Sequence, residues 1–138
     1  MNVVVQATNL EVTSELREFV EEKISDALRP FGRMADDPAM KIMVELEADT
    51  GHHRKSEHAY RAEFNVGVRG RLFRAESTAD DIHRAITDAK HILTKELRRW
   101  KTKLIDDARN GARSATALTA EELGFMPDET PDEREGIR

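Results

Sequence analysis

DDIHRAITDAKHILTKELRRWKTKL, residues 80–104, is the stretch that decides the fold. Apolar side chains recur at Ile82, Ile86, Ala89, Leu93, Leu97, Trp100 and Leu104, three and four residues apart, the spacing of one face of an α-helix. Asp80 and Asp81 stand just ahead of the stripe, where carboxylates suit the positive end of a helix dipole. At 1.5 Å per residue a helix of roughly 30 residues spans about 45 Å, so its last turns should overhang any sheet it covers. At 100° per residue Arg84, His91, Lys95, Arg98 and Arg109 fall opposite the apolar stripe. Arg99 and Lys103 flank that ridge on one side, Lys90 and Lys101 on the other. Between Ala89 and Lys103 the only acid is Glu96, an imbalance larger than salt-bridge pairing along a helix requires.

Upstream, the period changes to two. Ile42, Val44 and Leu46 alternate with Lys41, Met43, Glu45 and Glu47; Tyr60, Ala62, Phe64 and Val66 alternate with Arg61, Glu63 and Asn65; Phe73 and Ala75 alternate with Arg74 and Glu76. These are strands with one buried face. Gly67 to Gly70 suits a hairpin turn, and residues 49–57 make a longer connection. Asn2 to Ala7 predicts a first strand. Thr13 then caps a helix whose stripe is Leu16, Phe19, Val20, Ile24, Ala27 and Leu28. Pro30 should bias Arg29 out of the helical region and stop that helix, leaving residues 31–39 as a connecting loop. The expected architecture is α+β, in the order β-α-β-β-β-α, with one four-stranded sheet and both helices on its apolar face.

The chain has 138 residues, 22 Lys and Arg against 27 Asp and Glu, a net charge of −5, and no cysteine. A disulfide scaffold, a thiol nucleophile and a thiolate metal site are excluded, and the expected compartment is the reducing cytoplasm. No segment reads as a signal peptide or a membrane span, so no membrane partner is expected. The charge is unevenly spread. Residues 114–138 hold Arg134 and Arg138 against Glu121, Glu122, Asp128, Glu129, Asp132, Glu133 and Glu135, which places the whole −5 there. Residues 1–110 read as the folded domain and 111–138 as a flexible acidic tail, with Leu118, Leu123, Phe125 and Met126 as its docking points.

The outer face of the first helix carries Glu15, Glu18, Glu22 and Asp26, which repel a polyanion; phosphate contacts from this region should come from Lys23, Arg29 and Arg33. His52, His53 and His58 match no zinc spacing and read as a solvated or RNA-contacting loop, so no metal is expected. Walker A, nucleophile-elbow and dinucleotide motifs are missing, and neither a catalytic residue nor a cofactor is expected.

The combined pattern resembles the ribosome hibernation and ribosome-associated inhibitor family, also called the sigma-54 modulation family. The likeness runs over residues 1 to about 105. It lies in Leu10-Glu11-Val12-Thr13, Leu16-Arg17-Glu18-Phe19-Val20, Glu76-Ser77-Thr78-Ala79-Asp80-Asp81-Ile82, Ala85-Ile86 and Leu97-Arg98-Arg99-Trp100-Lys101. The resemblance implies a fold similar to a double-stranded-RNA-binding domain with an extra strand. It also implies a non-enzymatic inhibitor that occupies the messenger and transfer-RNA channel of the small ribosomal subunit in stress or stationary phase. Its rRNA contacts would be Lys23 and Arg29 on the first helix and Lys95, Arg99 and Lys103 on the second. Arg33, Arg84, Lys90, Arg98 and Lys101 join them from the charge map. Gly111-Ala112-Arg113 and the acidic end resemble the short members, often called protein Y, which lack the domain that pairs ribosomes. DNA is not an expected partner, and the protein should be a monomer off the ribosome.

Three positions depart from the family pattern: Asp26 where lysine is usual, Thr87 where an acid or amide is usual, and Glu96 where glutamine is common. With the acidic first helix, they leave a second expectation open, a stress-related protein-interaction module of the same fold that has lost ribosome binding. A third, a metal-dependent enzyme using the histidine loop, would need a bound metal.

Overall fold

The structure, a computed structural model, describes residues 2–49 and 59–111. The histidine loop and residues 112–138, on which the metal-loop and tail expectations fall, lie outside the described residues. Strand β1 is Val3–Thr8, helix α1 Ser14–Leu28, β2 Lys41–Ala48, β3 Tyr60–Val68, β4 Arg71–Ala79 and α2 Ile82–Gly111. The sheet order is β1-β2-β3-β4. Strand β1 pairs with β2 in parallel, with α1 in the crossover, and the other pairings are antiparallel. The expected β-α-β-β-β-α order is the one observed.

Both helix starts form as their capping residues dictate. The Thr13 hydroxyl accepts from the Leu16 amide at 3.1 Å, with Glu15 in the first turn. The Asp81 carboxylate accepts from the Arg84 amide at 3.1 Å. The stripes of α1 and α2 then bury Leu16, Val20, Ile24, Ala27 and Leu28 beside Ile86, Ala89, Leu93, Leu97 and Trp100, over Val44, Leu46, Phe64, Val66 and Phe73 of the sheet. Leu93 is 0% exposed, worth about 1.5–3 kcal/mol of burial. From Thr102 to Asn110 no α2 residue is buried, because those turns project past the sheet.

The expected loop at residues 31–39 is partly helical instead. Helix α1 does end at Leu28, but Arg29 keeps helical angles (φ −51°, ψ −42°) and the chain continues as a 3-10 segment, Arg29–Asp36, kinked at Gly32 (φ 55°). Pro30 lies at the start of this segment, where a missing N–H and a fixed φ are tolerated, so it redirects the helix without unwinding it. The segment buries Phe31 and Met34, and Phe31 meets Trp100 with ring centroids 5.8 Å apart. Phe73 of β4 lies 5.3 Å from the same ring, so Trp100 is a core residue, as its spacing implies.

The hairpin turn is narrower than expected. Gly67 stays in the β3 ladder opposite Leu72, and only Arg69 and Gly70 turn the chain.

Candidate nucleic-acid interface

Helix α2 packs against β3, β4 and α1, and its remaining face is open. Arg84, His91, Lys95, Arg98, Arg99, Lys103 and Arg109 are all exposed there. None of Arg84, Lys95, Lys103 and Arg109 has a carboxylate within ion-pair distance among the described residues. Asp88, four residues after Arg84, and Asp106, three residues from both Lys103 and Arg109, share this face and lower its positive potential without pairing among the described residues, so the cations outnumber the acids most clearly between Lys95 and Lys103. Arg99 is different: its guanidinium lies 3.2 Å from Glu96, three residues back. Arg98 has a contact of its own.

The two flanks of the ridge are not equivalent, and this corrects the charge map. Lys90 is half-buried and Lys101 is 5% exposed. Lys101 shares the azimuth of His83, about five turns earlier, and the His83 ring sits 4.7 Å from Phe19 of α1. That flank borders α1 near its start, where His83 stays exposed, and is closed off at Lys101, which is buried and has a contact of its own. The flank with Arg99 and Lys103 remains exposed.

On α1, Lys23 is half-buried with its ammonium 5.0 Å above the Phe19 ring, a cation–π contact at the edge of the helix pair. Arg29 is exposed but held by Asp26 at 2.7 Å. Arg33 is exposed near the end of the 3-10 segment and makes a contact of its own. Two of the family departures, Asp26 and Glu96, therefore each hold an arginine assigned to RNA.

The opposite side of the molecule is acidic. Pairing puts Glu45, Glu63 and Glu76 side by side in one row across β2, β3 and β4, with Glu47 and Arg61 in the next. Arg61 answers them all, at 3.8 Å from Glu45, 3.0 Å from Glu47, 3.1 Å from Glu63 and 2.8 Å from Glu76. These bonds, led by that to Glu47, raise its pKa further above the ordinary arginine value despite partial burial. Arg74 holds the other oxygen of Glu63 at 2.8 Å. With four carboxylates against Arg61, Arg74 and the exposed Lys41 at the start of β2, this face keeps a small negative excess of one charge.

Two further cations, Arg69 and Arg71, stand exposed at the β3–β4 turn. They lie outside the helix charge pattern, and the signal that marks them in the sequence is an Arg-Gly-Arg triplet at a two-residue turn. Among the described residues no group of three His, Asp or Glu side chains is placed to hold a metal ion, and no helix is long and apolar enough to cross a membrane.

A four-stranded sheet with two helices on one face, one of them turning exposed cations outward, defines a small α+β domain of order β-α-β-β-β-α. The chain belongs to the sigma 54 modulation protein / S30EA ribosomal protein family, whose sequence model matches residues 3–105. It is 31% identical over 103 residues to the ribosome hibernation promotion factor of Deinococcus radiodurans, an alignment covering 75% of this chain and 50% of that relative. The chain spans about half the length of several curated relatives it matches. The crystal structure of the Thermus thermophilus Protein Y N-terminal domain matches with a TM-score of 0.57 at 27% identity, over 72% of this chain and 99% of that one. A ribosomal subunit interface protein from Coxiella burnetii, 19% identical with a TM-score of 0.57 over 74% of this chain and 99% of that one, shares the fold.

Proposed function

We propose that this domain is a non-enzymatic translation inhibitor that binds the small ribosomal subunit at the decoding region, in the cytoplasm, under stress or in stationary phase. Helix α2 lies along rRNA phosphates and the body of the domain fills space that messenger and transfer RNA would occupy, so inhibition is by exclusion. The observation that carries this is the run of exposed cations Arg84, Lys95, Lys103 and Arg109 on one side of α2, unpaired among the described residues. Membership of the family and the names of its relatives support the choice of the ribosome as the polyanion. Lys23, Arg29 and Arg33 form a weaker second contact, because Phe19 and Asp26 already engage the first two.

The test is co-sedimentation with purified small subunits, with and without a bound messenger and transfer RNA. The expected result is binding to empty subunits and displacement by the preformed complex. Simultaneous binding of all three would refute exclusion. The combined variant Lys95→Glu, Arg98→Glu and Arg99→Glu should stay folded, because all three side chains are exposed, and should no longer sediment with subunits. Retained binding would show the ridge to be incidental. In that case, recovery of protein partners after nuclease treatment would favour the interaction-module alternative.

A further inference from the structure

The β3–β4 turn consists of Arg69 and Gly70, with φ 52° and 77°. Two consecutive left-handed residues make the tight turn that matches strand twist, and Asn-Gly or Asp-Gly is the usual pair because most L side chains resist positive φ. Among the described residues one other non-glycine has positive φ, Asn9, and its amide donates to the Ala48 carbonyl at 3.4 Å. Arg69 has no comparable hydrogen bond among the described residues. A long cation thus occupies a position whose backbone favours a short polar residue.

The next side chain adds a second cation in a fixed place. Arg71 pairs with Val68 across the hairpin and lies on the helix side of the sheet, its guanidinium 5.1 Å from the Phe73 ring and 5.9 Å from Trp100. Stacking on two aromatic rings restricts the guanidinium while leaving the residue exposed, so less freedom remains to be lost on binding. Neither arginine has a carboxylate within ion-pair distance among the described residues, whereas Arg61 and Arg74, on the other face of the same strands, are held by glutamates. Asp107, about two turns beyond Trp100 on the same side of α2, does not pair with them either. Lys103 follows Trp100 by one turn on the open flank of α2.

We propose that the β3–β4 tip is a second phosphate-binding element, in which Arg69 and Arg71 take phosphodiester groups of the same RNA that α2 lies along. The interface then turns the corner at Trp100 and wraps the C-terminal half of α2, and is not a straight ridge. This rests on the proposed rRNA contact of α2 and adds residues that neither helix supplies.

The probe is purified small ribosomal subunits, titrated with the full chain over a salt series. Arg69→Asn is the decisive variant, since asparagine suits left-handed φ and the variant should melt at or above the parent temperature. A purely structural role for this turn therefore expects no loss of binding. The proposal expects affinity about 5- to 8-fold weaker near 0.1 M salt and a log–log salt slope shallower by about 0.7–0.9, one phosphate contact's worth. Arg69→Asn with Arg71→Gln should weaken binding by roughly 25- to 60-fold and reduce the slope by about 1.4–1.8. If the parent binds with a steep slope and both variants match it, the tip makes no contact and the inference is overturned, while the α2 interface stands. If the parent itself shows no binding at any salt, the α2 reading and this inference fall together.

Discussion

Replacing Arg61 with methionine removes the one side chain that touches all four glutamates of the sheet face, and its cost follows from the geometry. Three contacts are hydrogen bonds of 2.8–3.1 Å, and the fourth, to Glu45, is 3.8 Å. The Arg61 side chain is 28% exposed and Glu63 only 10%, so that pair is less screened than a surface pair, while Glu47 and Glu76, at 44% and 50%, lie nearer the surface limit. Hydrogen bonds to charged groups contribute about 1.5–3 kcal/mol each when buried, and exposed pairs about 0–1. The three taken together at partial exposure give about 3 kcal/mol. Removing Arg61 also leaves Glu45, Glu63 and Glu76 adjacent in one row, with Arg74 as the remaining counter-charge. Urea unfolding, followed by the fluorescence of the single tryptophan, should therefore show a loss of about 3 kcal/mol near pH 7, or roughly 12 °C in melting temperature. Adding Glu63→Gln to Arg61→Met should recover about 1 kcal/mol or more, because it relieves the like-charge row. Small-subunit binding should be unaffected at temperatures where the variant is folded. A loss below about 0.5 kcal/mol for Arg61→Met, within the range of an ordinary surface pair, would refute the claim that this network organises the sheet face.

Leu93→Ala, at a fully buried position on the α2 stripe, should cost about 2–5 kcal/mol in the same unfolding assay. Thr13→Ala should cost about 1 kcal/mol by deleting the α1 cap. Glu96→Gln should cost less than about 0.5 kcal/mol of stability and tighten small-subunit binding at low salt by releasing Arg99, which a titration at 50 and 200 mM salt would show. Removing residues 114–138, which carry the whole net charge of −5, should also tighten binding at low salt; unchanged or weaker binding would argue against competition by that segment.

Helix α2 was legible because its 3.6-residue period persists from Ile82 to Leu104, far longer than chance alternation. The strands were legible because only one face of the sheet is buried, which leaves a clean period of two. The Arg29–Asp36 segment was not: Phe31 and Met34 are only two apolar anchors in a run broken by Pro30 and Gly32, and Phe31 packs on Trp100, nearly seventy residues away. Lys101 was misplaced for a related reason. An azimuth on an isolated helix does not reveal which flank the rest of the fold covers, and a lysine's aliphatic stem is readily buried. The Asp26–Arg29 and Glu96–Arg99 pairs sit at i,i+3 spacing and were visible in principle. The Arg61 network was not, since it depends on strand register. The Arg71 stack on Trp100 likewise joins β4 to α2 through tertiary contact.

If the exposed cations of α2 meet rRNA phosphates, binding to purified small subunits must weaken as salt rises. Four to six contacts from Arg84, Lys95, Arg98, Arg99, Lys103 and Arg109 contribute about −3 to −5 to the slope of log K against log salt, hence α2 alone makes binding roughly 60- to 1,000-fold weaker at 200 mM than at 50 mM. A flat dependence, or no binding at 50 mM, would contradict that contact.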